Sequence, residues 1–270
     1  MPPRLRPASK RNDELSHTDH SVSPPRITFP RAYNAAADLL ERHLAAGRGN
    51  EIAFIDDAGP CSYASLAQRV NRCANAWRRL GLRIEDRAVL LHDSVDFPVA
   101  FLGAIRAGIV PIPCNTMLTA ADYEFLVSDS RARAVVVSAP LAPMIAPLKG
   151  RLPFFEHVIV SGPRVDGAAN FADWIAGEPT QSPAAPTTPD DVCFWLYSSG
   201  STGTPKGAVH LHSDLINTAE LYARPILRLR ESDIVFSAAK LFFAYGLDNA
   251  LTFPLAAGAT AILMAERPTP

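Results

Sequence analysis

With 270 residues, 48% hydrophobic and 20% charged, the chain has the make-up of a soluble globular protein, enough for one large domain or two modest ones. A formal net charge of −1 gives no electrostatic footprint for nucleic acid or an anionic membrane, so neither is expected as a partner. The longest apolar region, residues 97–114, is broken by Arg106 and by prolines, so no membrane span is expected.

Residues 1–26 mix Pro, Ser, Arg and His with Asp13, Glu14 and Asp19 and contain no apolar run, which predicts a disordered leader, not a secretion signal. From residue 27 to 176, helical and strand patterns alternate. Leu66, Val70, Cys73, Trp77 and Leu80 step by four and three along one helix face, and Gly81 stands where a C-terminal cap belongs. Residues 88–91, 134–137 and 157–160 read as short buried strands. Phe101, Leu102 and Ile105 mark a helix that stops at Gly108. Thr119 with Asp122 three places on predicts a capping pair for the helix bearing Phe125 and Leu126. This alternation predicts β-α-β units, a first α/β subdomain and a largely parallel sheet.

Residues 177–191 hold four prolines and no larger apolar residue, and read as a linker. A second α/β subdomain is expected over 192–270. Its first run, Val192 to Tyr197, predicts a buried strand. Leu215, Ile216, Ala219, Tyr222 and Ala223 then fall at helical spacing. Residues 234–236 read as a strand, 246–255 as a helix and 259–264 as another strand. No helix follows to cover that last strand, so the chain reads as cut and its uncovered sheet as a candidate for self-association. The four cysteines, Cys61, Cys73, Cys114 and Cys193, share no C-x-x-C spacing and read as reduced, buried thiols of a cytoplasmic protein; no metal site is expected. Trp77 and Trp195 read as core, and His212 or Ser213 as a helix cap.

Between the strand at 192–197 and the following helix lies the most informative stretch. Residues Ser198 to Gly207 contain three Gly, three Ser, two Thr, one Pro and Lys206. Such a segment cannot pack a core, but it can wrap backbone N–H groups and hydroxyls around an anion, with the Lys206 ammonium adding charge. It is not a Walker A loop: counted from Gly200, the second glycine position is Pro205 and the position after Lys206 is Gly207. A P-loop phosphotransferase is therefore disfavoured.

The stretch resembles the phosphate-binding signature of the adenylate-forming superfamily of acyl- and aryl-CoA ligases, with every fixed position filled. Similar landmarks are Ser62 and Tyr63 leading to Leu66, Phe101 to Gly108 followed by Val110 and Pro111, and Lys240 to Gly246, so that the likeness runs from about residue 30 to 270. The resemblance implies the N-terminal portion of that fold, with parallel-rich sheets covered by helices. It also implies ATP, Mg2+ and coenzyme A as cofactors. Ser198, Ser199, Gly200, Ser201, Thr202, Gly203, Thr204, Lys206 and Gly207 would hold the ATP phosphates. The segment Phe242-Phe243-Ala244-Tyr245 is similar to that of benzoate–CoA ligases, implying an aromatic carboxylic acid bound by Ala244, Tyr245, Gly246 and Phe253. Asp248 departs from the pattern, standing where those ligases usually show Gly. The family's adenine and ribose segments, metal-binding Glu, hinge and adenylating Lys would lie beyond residue 270, so no catalytic residue is assigned and the chain alone is expected to be inactive. An inactive remnant and one half of a split ligase are the alternatives.

Overall fold

The computed structural model describes residues 14–91, 94–198 and 203–266. Near its start, β1 (His17–Asp19) and β2 (Arg26–Thr28) pair as an antiparallel ribbon. The expected disordered leader is thus ordered over residues 14–26; residues 1–13 lie outside the described part. Polar anchoring holds it. The Ser16 hydroxyl donates to Asp38 at 2.6 Å, the Tyr33 hydroxyl donates to the same carboxylate at 2.9 Å, and Arg42 reaches Ser16 Oγ at 2.9 Å. Asp38 lies on α1 (Ala35–Ala45), which Asn34 caps by accepting from the Ala37 N–H. Ile27 of β2 adds one apolar contact with the core.

After the hairpin of β3 (Ile52–Asp56) and β4 (Gly59–Ser62), the Ser62 side chain caps α2 (Tyr63–Arg79). Leu66, Val70, Cys73 and Trp77 are fully buried along one face, as the spacing predicts. There follow β5 (Arg87–Leu91), α3 (Asp96–Ala107), β6 (Val110–Pro113) and α4 (Ala120–Ser130), the last opened by the expected reciprocal capping of Thr119 and Asp122. Next come β7 (Ala134–Ser138), the short α5 (Ala142–Ile145), β8 (His157–Ser161), β9 (Ala169–Asn170) and α6 (Phe171–Ala176). The strands form one parallel sheet in the order β6-β5-β7-β8-β9. Its side chains alternate between two cores. Ala88, Leu90, Ala134 and Val136 face one, and Val89, Leu91, Val135 and Val137 the other.

The segment 177–191 carries no helix or strand, as a linker should, but it is docked. Arg106 donates to the Ser182 carbonyl at 2.7 Å and 3.0 Å, and Asn75 donates to the carbonyls of Pro179 and Gln181, both at 3.0 Å. Prolines leave carbonyls without ladder partners, and side chains of α2 and α3 fill them.

Beyond it lie β10 (Val192–Ser198), β11 (Lys206–Leu211) and α7 (His212–Thr218), which runs into a π-helical turn at Ala219–Ala223. After β12 (Ile234–Phe236), one helix is assembled from α8 (Ala244–Leu247), a second π turn at Asp248–Thr252 and α9 (Phe253–Ala257), before β13 (Thr260–Ile262). β13 lies parallel between β12 and β3, giving the sheet β12-β13-β3-β4. The boundary read at 177–191 is therefore not where the sheets divide. A strand pair from the first stretch completes the sheet of the second, and one hydrophobic core takes in Phe54, Trp77, Phe101, Phe194 and Leu251. Among the described residues, Ile234, Phe236 and Ile262 of this sheet are 66%, 52% and 37% exposed. No helix among the described residues is long and apolar enough to cross a membrane.

Candidate active site

Sequence reading predicts strand, glycine-rich loop, helix. The structure inserts a strand: β11 pairs antiparallel with β10, setting Lys206 opposite Ser198 and Gly207 opposite Tyr197, and the helix starts only at His212. The stretch expected to hold the phosphates thus lies between two paired strands and does not lead straight into a helix. Ser199, Gly200, Ser201 and Thr202 lie outside the described residues. Gly203 has φ +92°, a conformation that favours glycine, and Thr204 and Lys206 are exposed. Among the described residues Lys206 makes no ion pair, so its ammonium is available to an anion. A Cβ on Gly207 would stand 3.4 Å from both Trp195 and Tyr197, so this glycine lets the two aromatic side chains close over the ribbon.

The hairpin is braced from the first sheet. β10 runs alongside β6, the Arg87 guanidinium lies 5.8 Å above the Trp195 ring, and the Tyr197 hydroxyl donates to Asp129 at 2.5 Å. Burial first, then the neighbouring Asp129 carboxylate, push the Tyr197 hydroxyl up, so it remains a donor. Trp195 is half-buried in this brace, less enclosed than the core position its sequence suggests.

β11 leads from Lys206 into α7, whose last residues form part of the wall of a cavity of about 520 Å³. One wall is the end of α7 and its π turn, with Asn217, Thr218, Leu221 and Tyr222, joined by Leu227. The other is the second π-containing helix, with Tyr245, Asp248, Asn249 and Phe253. The Phe253 ring is 4% exposed and lies 6.0 Å from Tyr222, while Tyr245 is 70% exposed. Of the residues expected to bind the acid, the structure brings Tyr245 and Phe253 to this cavity. Ala244 is exposed beside Tyr245 and does not line it. Gly246 is buried behind it: a Cβ there would meet the Lys240 carbonyl oxygen at 2.0 Å.

Sequence reasoning missed Asn217, Thr218, Leu221, Leu227 and Asn249, and set Tyr222 on the buried helix face although it is 49% exposed. The π turns account for part of this: the wider turn shifts side chains out of the 3.6-residue pattern, and the turns at 219–223 and 248–252 carry Leu221, Tyr222, Asp248 and Asn249 to the cavity. Asn217 and Thr218 stand on α7 before the first of these turns, and Leu227 lies beyond it.

Two buried histidines support these walls. His212 caps not its own helix but α1: its Nδ1 accepts from the Ala35 N–H at 3.1 Å. The His43 Nε2 donates to the Leu255 carbonyl of α9 at 2.5 Å. Burial holds both rings down to about 4, hence neutral. His210 stacks on Phe194 with centroids 4.5 Å apart and points Nδ1 toward Asp214 at 3.6 Å. Among the described residues no group of three His, Cys, Asp or Glu side chains is placed to hold a metal ion.

Comparison with known proteins bears on the family and the fold. Residues 40–270 match the family described as AMP-binding enzyme. The chain is 60% identical over 258 residues to a benzoate–CoA ligase of Thauera aromatica, covering 95% of this chain and 49% of that protein. Among solved structures it is similar to a benzoate CoA ligase from Burkholderia xenovorans LB400, with TM-score 0.80 and 48% identity over 87% of this chain and 46% of that one. It is also similar to the anthranilate CoA ligase AuaEII in complex with anthranoyl-AMP, with TM-score 0.85 and 37% identity over 88% of this chain and 46% of that one. The chain spans about half the length of these relatives.

Proposed function

The chain belongs to the AMP-binding enzyme family, and from that premise we propose that it serves the ATP-dependent activation of an aromatic carboxylic acid to its CoA thioester. The carboxylate oxygen attacks the α-phosphorus of ATP, the bond to pyrophosphate breaks, and an acyl-adenylate results. The thiol of coenzyme A then displaces AMP at the acyl carbon. Both partners of the first step are anionic, so the chain must supply positive charge and oriented N–H donors. The residues assigned to the β- and γ-phosphates are Ser198 to Thr204 with Lys206 and Gly207; Mg2+ would enter with the nucleotide. Ala244, Tyr245, Gly246 and Phe253 belong to the acid-binding segment, the aromatic pair as cavity wall and Gly246 as the close contact that seats it.

One observation carries this reading. A single run of chain connects the exposed Lys206 to a cavity of about 520 Å³ walled by Tyr222, Tyr245 and Phe253. Flat aromatic walls suit a benzene ring, and the volume is that of a small-molecule site. A cytoplasmic setting is supported by the four buried, free cysteines, and self-association of two copies by the exposed Ile234, Phe236 and Ile262.

The test separates the two sites. Lys206→Ala is expected to weaken ATP binding by about 2 kcal/mol, roughly 30-fold, while leaving benzoate binding unchanged. Tyr245→Ala removes an exposed cavity wall and is expected to weaken benzoate binding by about 1 kcal/mol, leaving ATP unchanged. Calorimetry measures both. Unchanged ATP affinity in Lys206→Ala would remove the phosphate assignment, and tighter binding of short aliphatic acids than of benzoate the aromatic one.

A further inference from the structure

The cavity wall contains one group that a plain aromatic ring cannot satisfy. Asp248 opens the second π turn, between Tyr245 and Phe253 in the chain, and its side chain lines the cavity. Its Oδ1 accepts from the Thr252 hydroxyl at 3.0 Å, which fixes the carboxylate's orientation. Among the described residues Oδ2 has no hydrogen-bond partner and the carboxylate no ion pair. The charge of the His210 ring acts on it, but that ring is stacked on Phe194 and turned toward Asp214. Burial raises the Asp248 carboxyl above its ordinary range, opposed by the Thr252 hydrogen bond and then by His210.

Water can solvate Oδ2 while the cavity is open. A ring filling the cavity displaces that water, and a carboxylate left without a partner against apolar surface is costly. Nor can the substrate's own carboxylate settle there, since like charges repel. We propose that the acid taken by this site carries a hydrogen-bond donor on its ring, an amino or hydroxyl group that donates to Asp248 Oδ2: an aminobenzoate or a hydroxybenzoate. The inference rests on the aromatic-acid reading above and narrows it. A site that hydrogen-bonds a substrate donor rejects the analogue lacking it, because its own polar group is then stranded.

The experiment is calorimetric binding of benzoate and of the 2-, 3- and 4-amino, hydroxy and methoxy benzoates to the protein and to Asp248→Gly and Asp248→Asn. At least one amino or hydroxy isomer should bind about tenfold or more tighter than benzoate, as expected for a hydrogen bond to a charged group, and the methoxy compound of the same position should not. Asp248→Gly should abolish that preference, and Asp248→Asn, which keeps one acceptor oxygen, should retain part of it. Benzoate binding as tightly as every substituted acid would overturn the proposal while leaving the aromatic reading intact, as would a preference that survives in Asp248→Gly. If no aromatic acid binds, both fall. Circular dichroism of the two variants checks that each is folded, and the wild-type ranking alone decides the case if either is not.

Discussion

Lowering the pH from about 7 to 4 is expected to remove on the order of 6 kcal/mol of folding stability, through two buried histidines. His43 and His212 are both buried, and burial depresses each ring from 6.5 to about 4. In the unfolded chain both would take up a proton near pH 6.5. The folded chain resists until about pH 4, so across that window the unfolded state binds more protons and stability rises with pH. The contribution is complete above pH 6.5 and is lost as pH falls toward 4, at about 3 kcal/mol for each ring. Geometry gives the same sign. Protonated His212 would point a hydrogen from Nδ1 at the Ala35 N–H it now accepts from, and protonated His43 would turn Nδ1–H toward Arg48 at 3.5 Å. The depressed carboxylates Asp19, Glu51, Asp122 and Glu156 act in the same direction but only further down, below their ordinary range. Urea unfolding at pH 7, 5.5 and 4 measures the effect, and His212→Asn should flatten the slope between 6.5 and 4. A midpoint that does not move across this range would contradict the burial of both rings.

Gly246→Ala is expected to destabilise the chain by about 3 kcal/mol or more, lowering the melting temperature by roughly 10 °C. The added Cβ would lie 2.0 Å from the Lys240 carbonyl oxygen and 2.6 Å from that of Ala239. Both are backbone atoms, which cannot swing aside like the end of a side chain. Lys240 is itself committed, its ammonium donating to the carbonyls of Met264, Ala265 and Glu266. Moving residue 240 to admit a methyl group therefore strains the exit of the last strand as well. Gly177→Ala is the matched control, since no atom lies within 4 Å of its added Cβ and its φ is −82°. If the two variants melt together, the close approach at Gly246 is not what the structure shows. Because the cavity wall begins at Tyr245, the same substitution should also weaken aromatic-acid binding even where the fold survives.

The parallel sheet was legible because its determinants are local. Leu66, Val70, Cys73 and Trp77 announce a helix face, and Thr119 with Asp122 announces a helix start, each within a few residues. What was missed depends on distant partners or on departures from regular period. Lys206 to Leu211 is a strand because Trp195 and Tyr197 accept it as a neighbour, and the sequence Lys-Gly-Ala-Val-His-Leu holds no strict alternation to signal it. The ribbon at 17–28 is anchored by Asp38 and Arg42 through Ser16, by His20 on Glu220 and by Ile27 on the core, distant partners that its own composition does not announce. Of the candidate site, the stretch 198–207 and the Tyr245 to Phe253 segment stand out in the sequence as motifs. The opposing wall does not: Leu221 and Tyr222 sit in a π turn, which leaves no mark in the 3.6-residue pattern, and Asn217 and Thr218 are polar residues at a helix end with no local signal of a cavity.

The pairing of β13 with β3 sets a timetable for biosynthesis. Thr260 donates its hydroxyl to the Ile52 carbonyl, 208 residues earlier. At about 5–20 residues per second of translation, the β3–β4 hairpin waits roughly 10–40 s on the ribosome before its neighbour exists. Strands β5 to β9 emerge within that interval and can pair with one another, while Phe54 and Ile55 present an open edge to any other nascent chain. This segment is therefore the place where a chaperone would find its longest opportunity, and where slower translation would cost the most yield.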